Sequence, residues 1–198
     1  MVSTDDEILQ RVQGGDRAAY MELFERHYSR VEGYARRLMQ DAEAARDIAS
    51  ETFLRAYRTV DLFQRHQGIS YPGYLLLICR RLTLNELERR RNAATFSLEE
   101  CPVALEQLAD SAELPLAQLL HNERRAMLRE ALNSLAPEDR EIIHLAFERD
   151  LSRRDLVAIL GKPSVSAVTS HLHRAMQKLK TAVIRNGYFA SEYEVGLK

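Results

Sequence analysis

The sequence predicts an all-α protein, and three observations lead to this class. Apolar residues recur at steps of three and four along most of the chain, the period of one helical face, and not in the alternation typical of strands. Residues 95–115 interrupt this pattern with prolines, serines and carboxylates and carry no Lys or Arg. Further on, a short helical pattern, a glycine turn and a longer helical pattern follow one another, as in a helix-turn-helix. We therefore predict two small helical domains, an N-terminal helical bundle at 1–94 and a C-terminal helix-turn-helix domain at 116–198, joined by a flexible acidic linker at 95–115.

The composition narrows the class of protein. With 198 residues, of which 45% are hydrophobic and 29% charged, the chain can form one or two globular domains. Its net charge of -1 argues against non-specific nucleic-acid binding, so any DNA contact has to come from local patches. The polar start predicts no secretory signal, and no apolar run is long enough to predict membrane insertion. Cys79 and Cys101 lack C-x-x-C spacing and suit a reducing compartment, so we expect a cytoplasmic protein.

Capping residues predict the first two helices. Thr4 or Asp5 can cap a short helix over 7–13, which the glycines at 14–15 would end. Asp16 is expected to cap the next, long helix. Its apolar stripe consists of Tyr20, Leu23, Phe24, His27, Tyr28, Val31, Tyr34, Ala35 and Leu38. Because His27 lies on this stripe, we expect a packed or rim histidine there and not a metal ligand.

A third helix is predicted over 41–60, with Asp41 at the N-cap. The face predicted to be buried carries Ala45, Ile48, Ala49, Thr52, Phe53, Ala56, Tyr57 and Val60. The opposite face carries Asp47, Ser50, Glu51, Leu54, Arg55 and Arg58. On residue types alone, this second face is an ordinary solvated helix surface with one exposed leucine.

The segment 64–71 is predicted to be a loop, and Pro72 fits the first turn of the helix that follows. That helix should run from Gly73 to about Asn92. Its inward residues are predicted to be Tyr74, Leu75, Ile78, Leu82 and Leu87. It ends in the arginine run 89–91, which suits a solvated helix end favoured by the helix dipole and also a surface for nucleic acid. Tyr74 is equally suited to the core and to stacking on a base.

Helical patterns return at Leu116 and predict four further helices. The first should reach about Leu135, and the second should be opened by Pro137 and continue to Asp150. The third should be capped by Ser152 and stopped by Gly161. The fourth should begin after Ser164 or Ser166 and end near Ile184. Its buried stripe is predicted to be Val165, Val168, Leu172, Ala175 and Leu179.

The run from Arg46 to Ala56 in the third helix resembles the core-polymerase-binding segment of bacterial sigma factors of the extracytoplasmic-function group, D-L-V-Q-E-T-F-L-R-A. Ala49 and Ser50 stand where that pattern has Val and Gln. The resemblance implies that the opposite face of this helix binds core RNA polymerase. The residues it implicates are Asp47, Ser50, Glu51, Leu54 and Arg58.

The next helix is similar to the family pattern W-L-(Y/F)-x-I-A-R-N-x-x-x-D-x-x-R-R, with Tyr74 for Trp, Arg81 for Asn and Asn85 for Asp. In the family, this loop and helix open and hold the −10 promoter element. Such a role suits aromatic faces on which a flipped base can stack and cations along the strand. The residues implicated are Arg65, His66, Tyr71, Tyr74, Arg80, Arg81, Asn85, Arg89 and Arg90.

The C-terminal half resembles the −35-binding domain of the same family. The matching residues include Arg140-Glu141-Ile142-Ile143, Leu151-Ser152 and Leu160-Gly161. A recognition helix presents one side to the major groove. The residues implicated are Arg153, Ser166, Thr169, Ser170, His173, Arg174 and Lys178. Thr169 and His171 stand where the family commonly has Lys or Arg, which suggests weaker binding or a different −35 sequence. His171 and His173 do not share a helix face, so we predict no metal pair.

The resemblance implies a sigma factor and not an enzyme, with core RNA polymerase, promoter DNA and an anti-sigma factor as partners and no cofactor. The residues form no Gly-rich phosphate loop, G-x-S-x-G motif or metal-ligand spacing. Two alternatives stay open. One is a sigma-like decoy that binds a sigma-sequestering protein. The other is a conventional helix-turn-helix regulator, which would form stable dimers and bind operator DNA without polymerase. The segment 186–198 could pack on the second domain or bind a partner.

Overall fold

A computed structural model describes residues 3–63, 68–95 and 116–185. This part of the chain contains α-helices and short 3-10 turns but no strand, which confirms the predicted all-α class. The segments 96–115 and 186–198 lie outside the described residues, as do 64–67. The α-helices are α1 (Asp5–Gln13), α2 (Tyr20–Met39), α3 (Ala42–Arg58), α4 (Tyr71–Thr95), α5 (Leu116–Asn133), α6 (Pro137–Phe147), α7 (Arg153–Leu160) and α8 (Val165–Arg185).

The chain divides into two compact units. The first unit comprises Met1–Glu99 and Arg149–Pro163, and the second comprises Glu100–Glu148 and Ser164–Lys198. Helix α7, assigned by sequence to the second domain, therefore belongs to the first unit, where it packs on α4. The predicted domain limits at 94 and 116 stay a prediction.

Local capping fixes most helix starts. The Thr4 side chain accepts a hydrogen bond from the Glu7 N–H, and the Glu7 carboxylate accepts one from the Thr4 N–H, so Thr4 caps α1. Asp41 caps α3 as predicted, accepting the N–H groups of Glu43 and Ala44 at 3.1 Å. Asp16 caps a 3-10 turn (Arg17–Ala19), and α2 begins only at Tyr20.

The core of the first unit forms where α2, α3 and α4 meet. His27 lies in this core as expected, with Nε2 2.8 Å from Asp5 Oδ2. Leu75 and Leu82 of α4 are buried as predicted. Leu76 and Cys79 are buried as well, although the predicted stripe omitted them. Helix α4 contacts α2, α3 and α7, so its buried residues do not form one stripe.

The core of the second unit forms between α5, α6 and α8. Its buried apolar side chains are Ala131, Leu135, Ile142, Ile143, Leu145, Val168, Ala175, Leu179 and Ala182. Val165, predicted to be buried, is 41% exposed because it lies in the first turn of α8. Helix α6 ends at Phe147, before the predicted Asp150, which adopts a positive φ of 63°. Gly161 ends α7 in the left-handed conformation as predicted.

Candidate functional site

The two faces of α3 are as different in the structure as in the sequence. Ala45, Ile48, Ala49, Thr52, Phe53 and Ala56 are buried against the core. The five residues predicted to bind polymerase lie together on the other side: Asp47, Ser50, Leu54 and Arg58 are exposed and Glu51 is half-buried. Leu54 is 43% exposed, an apolar side chain among charged ones. The Glu51 carboxylate pairs with Arg55 one turn away at 2.6 Å.

Tyr57 was predicted to be in the core but lies at its edge, 36% exposed. Its ring packs against Tyr20, with 4.9 Å between the centroids, and the Arg17 guanidinium lies 5.7 Å from the ring centroid. Tyr57 follows Leu54 by three residues, so the two side chains share one surface. This spacing was visible in the sequence and identifies Tyr57 as an additional candidate for the polymerase-binding surface.

Tyr71, expected on a DNA-binding surface, is a core residue in this structure, so its contact with DNA stays a prediction that its burial does not support. The side chain is 3% exposed. Its hydroxyl donates to the Tyr20 hydroxyl at 3.1 Å, which in turn donates to the Phe53 carbonyl at 2.9 Å. Burial raises the pKa of Tyr20 to about 12 and the pKa of Tyr71 further above its usual range.

Tyr74 is half-buried, which leaves both of its predicted uses open. Its hydroxyl lies 2.8 Å from Thr59 Oγ1, and its ring centroid lies 5.1 Å from that of Phe63. Arg65 and His66, the two loop residues predicted to contact the −10 element, lie outside the described residues.

The far part of α4 presents polar and cationic side chains. Arg81, Asn85 and Arg89 are exposed and spaced by four, so they follow one side of the helix. Arg80, also predicted to contact DNA, is half-buried.

Acidic residues hold two of the predicted arginines. Arg89 and Arg90 donate to Glu86 at 2.8 and 2.9 Å, and these bonds lower the pKa of the Glu86 carboxyl to about 2. Arg90 also donates to Asp41 at 2.8 Å, which links α4 to the N-cap of α3. The i,i+3 and i,i+4 spacing predicts the Glu86 pairs, whereas the Asp41 pair depends on tertiary packing.

Asp155 joins α7 to the segment before α4 inside the first unit. The carboxylate is fully buried and accepts the N–H of Ser152 at 2.6 Å and of Ser70 at 2.7 Å. Gly73 lies against it so closely that a Cβ there would be 2.5 Å from Asp155 Oδ1. Arg153, predicted to contact DNA, is exposed at the start of this helix.

Helix α8 exposes all six of its predicted DNA-binding residues: Ser166, Thr169, Ser170, His173, Arg174 and Lys178. Lys178, the sixth, donates to the buried Asp139 of α6 at 2.5 Å. His171 Nε2 lies 3.0 Å from the other oxygen of Asp139. The hydrogen bond from Lys178 is the main cause that lowers the pKa of the Asp139 carboxyl. The Lys178 side chain is therefore exposed and at the same time paired with Asp139, and its expected contact with DNA stays a prediction.

Two kinds of feature are absent from the parts of the chain that the structure describes. Within these parts, no helix combines the length and apolar character needed to cross a membrane. The same residues contain no group of three or more His, Cys, Asp or Glu side chains that could hold a metal ion.

Comparison with known proteins finds a matching family model for each half of the chain. The family model of Sigma-70 region 2 matches residues 23–93, and that of Sigma-70, region 4 matches residues 125–179. The ECF RNA polymerase sigma factor SigE of Mycolicibacterium smegmatis is 33% identical over 84% of this chain. The ECF RNA polymerase sigma factor BldN of Streptomyces coelicolor is 28% identical over 87% of this chain. The chain spans 63% of the length of each of these two relatives.

A solved structure shows the same fold. The sigma factor RpoE from Bartonella quintana, in complex with the anti-sigma factor NepR, superposes with a TM-score of 0.63 at 21% identity. The match covers 83% of this chain and 96% of that one. The two sigma regions in their family order, together with these relatives, show that the chain belongs to the extracytoplasmic-function group of the sigma-70 family of RNA polymerase sigma factors.

Proposed function

We propose that this chain is a transcription initiation factor that binds core RNA polymerase, recognises −35 and −10 promoter elements and promotes melting of the DNA. The polymerase performs the chemistry, and the sigma chain positions and opens its template. The observation that carries this proposal is the exposed face of α3, where all five residues implicated in polymerase binding lie together. We place this activity in the cytoplasm, where polymerase and promoter DNA are found.

The exposed face of α3 suits a protein partner. Leu54 and Tyr57 provide apolar area at its centre, and Asp47, Glu51 and Arg58 surround them with charge. Protein interfaces commonly have such an apolar centre and polar rim. Charges at the rim favour correct orientation and speed association, while the desolvated centre supplies most of the affinity.

For the −10 element we propose the exposed side of α4 as the surface along which the DNA strand runs. Arg81 and Arg89, eight residues apart, supply cations, and Asn85 midway between them can bond to a base edge. Tyr74 supplies a partly accessible ring for stacking. Arg65 and His66 belong to this surface by resemblance.

For the −35 element we propose the polar side of α8 as the recognition surface in the major groove. Arg174 can bond to guanine with two N–H groups, and Ser166, Thr169, Ser170 and His173 can bond to base edges or phosphates. Arg153 of α7, which lies in the first unit, is implicated in DNA binding by resemblance alone. Few of these side chains are cationic, so a modest salt dependence is expected from this helix.

An anti-sigma factor completes the proposed set of partners. The proposal rests on family membership, and RpoE of Bartonella quintana has been solved with such a protein. A tagged chain recovered from its native cell should carry a stoichiometric anti-sigma protein in addition to polymerase. Repeated recovery with polymerase alone would contradict this part of the proposal.

Binding to purified core RNA polymerase tests the function. Glu51→Lys should weaken binding at least tenfold, about 1.4 kcal/mol, because it reverses a charge within the proposed interface. The matched control is Glu25→Lys, the same change on the exposed surface of α2, and it should bind as tightly as the wild type. Loss of the Glu51–Arg55 pair costs only about 0.3–0.5 kcal/mol of helix stability, so folding should be retained.

The same experiment separates the alternatives. A wild-type chain that binds no core polymerase would contradict the proposal and favour a decoy. A stable dimer that binds duplex operator DNA without polymerase would instead favour a conventional regulator.

A further inference from the structure

The first turn of α6 contains a carboxylate that contacts α8 at two points. Asp139 is only 4% exposed. One of its oxygens lies 3.0 Å from His171 Nε2, and the other accepts from Lys178 Nζ at 2.5 Å. His171 and Lys178 are seven residues apart on α8, which is two helical turns, so both lie on the side that faces α6. The pair of contacts therefore spans two turns of the recognition helix.

The next residue makes the equivalent connection to α5. Arg140 donates to the carbonyls of Leu132, Asn133 and Leu135 at 3.1, 2.9 and 3.2 Å. The carbonyls of Leu132 and Asn133 belong to the last turn of α5, where backbone acceptors lack helical partners, and that of Leu135 lies in the connection to α6. Two consecutive side chains of α6 thus hold the helices on either side, and Asp139 sets how α8 is held within the second unit.

A buried carboxylate is stable only with its partners in place. His171 is mostly buried, and its other ring nitrogen, Nδ1, is buried without a hydrogen-bond partner among the described residues. The tautomer with the proton on Nε2 fits this geometry, because that N–H can donate to Asp139. The Lys178 ammonium contacts the other oxygen of the carboxylate. Moving Lys178 to a DNA phosphate would take this ammonium away from the buried carboxylate.

We propose that Asp139 is a positioning residue for the recognition helix, which orients α8 through His171 and Lys178 and withholds the Lys178 ammonium from the DNA phosphates. This inference rests on the proposed −35-binding function of α8. It revises the expectation from sequence, in which Lys178 contacts DNA. Arg174 then makes the cationic contact from the polar side of α8. Hydrogen bonds from the neutral side chains to the bases then contribute a larger share of the affinity for DNA than attraction to the phosphates.

The salt dependence of promoter binding measures directly whether the Lys178 ammonium contacts a DNA phosphate. Each phosphate contact adds about 0.9 to the slope of log K against log salt concentration. The full chain with core polymerase would be titrated against a promoter fragment that the holoenzyme selects from a random pool. Asp139→Asn should release Lys178 and steepen the slope by about 0.9. Between 50 and 200 mM salt, affinity should then fall about threefold more than for the wild type.

Three further single variants and one double variant test whether release of Lys178 causes the steeper slope. Glu138→Gln removes the same charge from the same turn of α6 without touching α8, and its slope should equal that of the wild type. Lys178→Ala should leave the slope unchanged, whereas Arg174→Ala should make it shallower by about 0.9. Adding Lys178→Ala to Asp139→Asn should restore the wild-type slope. A shallower slope for Lys178→Ala alone, or no change for Asp139→Asn, would overturn the proposal.

A second readout separates this inference from the proposed function. In the free chain, the NMR signal of the Lys178 ammonium should be visible, because an ion pair slows exchange of its protons, and it should be lost in Asp139→Asn. If the wild type binds no promoter at all, the proposed function fails, while this signal still decides whether the pair exists. Absence of the signal in the wild type would reject the positioning role whatever the DNA result.

Discussion

At the residue scale, Tyr71 shows that a residue can fit a DNA-binding pattern in the sequence and still be buried in the structure. In the sequence it stands beside cations in a predicted loop, which suggested a stacking surface for a base. In the structure it is buried, and its hydroxyl donates to Tyr20, which donates to the Phe53 carbonyl. A buried tyrosine needs such a partner for its hydroxyl. The partner is supplied by α2, and no local pattern around position 71 could reveal it.

Asp139 also makes a prediction about acid stability. Its pKa is lower in the folded chain than the ordinary value of 3.8, so the unfolded chain binds more protons between the two values. The resulting stability is fully present above about pH 3.8 and is lost as pH falls through the folded pKa. In Asp139→Asn, the free energy of unfolding of the second unit should therefore depend less steeply on pH below about 4.

Urea unfolding at several pH values between 3 and 6 would measure this effect. The amide NMR signals of α8 should be followed, because the chain has no tryptophan and two units need not unfold together. Glu138→Gln, which changes an exposed carboxylate in the same turn, serves as the control. Equal pH dependence in Asp139→Asn and the wild type would contradict the assigned ion pair.

At the element scale, α4 is surrounded by other helices at its start. Its first three residues, Tyr71, Pro72 and Gly73, are all buried, and Asp155 of α7 packs against Gly73. Gly73 is required there because Asp155 occupies the space of a side chain. In a helix interior, alanine would otherwise be preferred to glycine by roughly 0.5–1 kcal/mol.

Gly73→Ala should consequently destabilise the first unit despite its better helix propensity. The added Cβ would lie 2.5 Å from Asp155 Oδ1, so α7 has to shift and the Ser70–Asp155 hydrogen bond is lost. A buried carboxylate that loses a donor costs about 1–3 kcal/mol. Faster hydrogen exchange of the Ser70 amide and a lower midpoint of thermal unfolding are the expected observations.

Gly33→Ala is the matched control on α2. A Cβ there would meet only Arg37 Nη1 at 3.9 Å, so this variant should stabilise the chain by about 0.5–1 kcal/mol. Opposite effects of the two substitutions support the close approach of α7 to α4. Stabilisation by both would show that Gly73 has room for a methyl group.

Local sequence signals predicted the helices well because their ends depend on neighbouring residues. The caps Thr4, Asp41 and Ser152, and the stop at Gly161, follow from hydrogen bonds within a few positions. The burial of Cys79 was missed because it requires a second packed neighbour for α4. Tertiary packing therefore limits how completely a single periodic stripe describes a helix.

At the scale of the whole molecule, the distinction between local sequence signals and tertiary packing also applies to the candidate functional residues. The exposed face of α3 could be predicted because helical period alone separates it from the core. The partner of Lys178 could not, because Asp139 lies far away in sequence and reaches α8 only through the packing of α6. The family pattern indicates which helices to propose as functional, and the structure shows which of their side chains are exposed or paired.

The formal net charge of -1 suggests that the chain depends on its proposed partner, core RNA polymerase, for part of its attraction to DNA. A chain with a slightly negative net charge has no strong general attraction for DNA. Its exposed arginines are local and several pair with carboxylates, as in Glu86 with Arg89 and Arg90. Promoter binding is therefore expected to depend on polymerase, which would hold both recognition surfaces on the DNA.

Promoter-directed initiation with purified core RNA polymerase tests the central claim most directly. The template would be a pool of random promoter fragments, and the transcripts would report which sequences are used. We predict specific initiation by the wild type, retention of it in Glu25→Lys, and loss of it in Glu51→Lys and Asp47→Arg. Absence of initiation by a wild-type chain that is folded, or unchanged initiation by both α3 variants, would contradict the account.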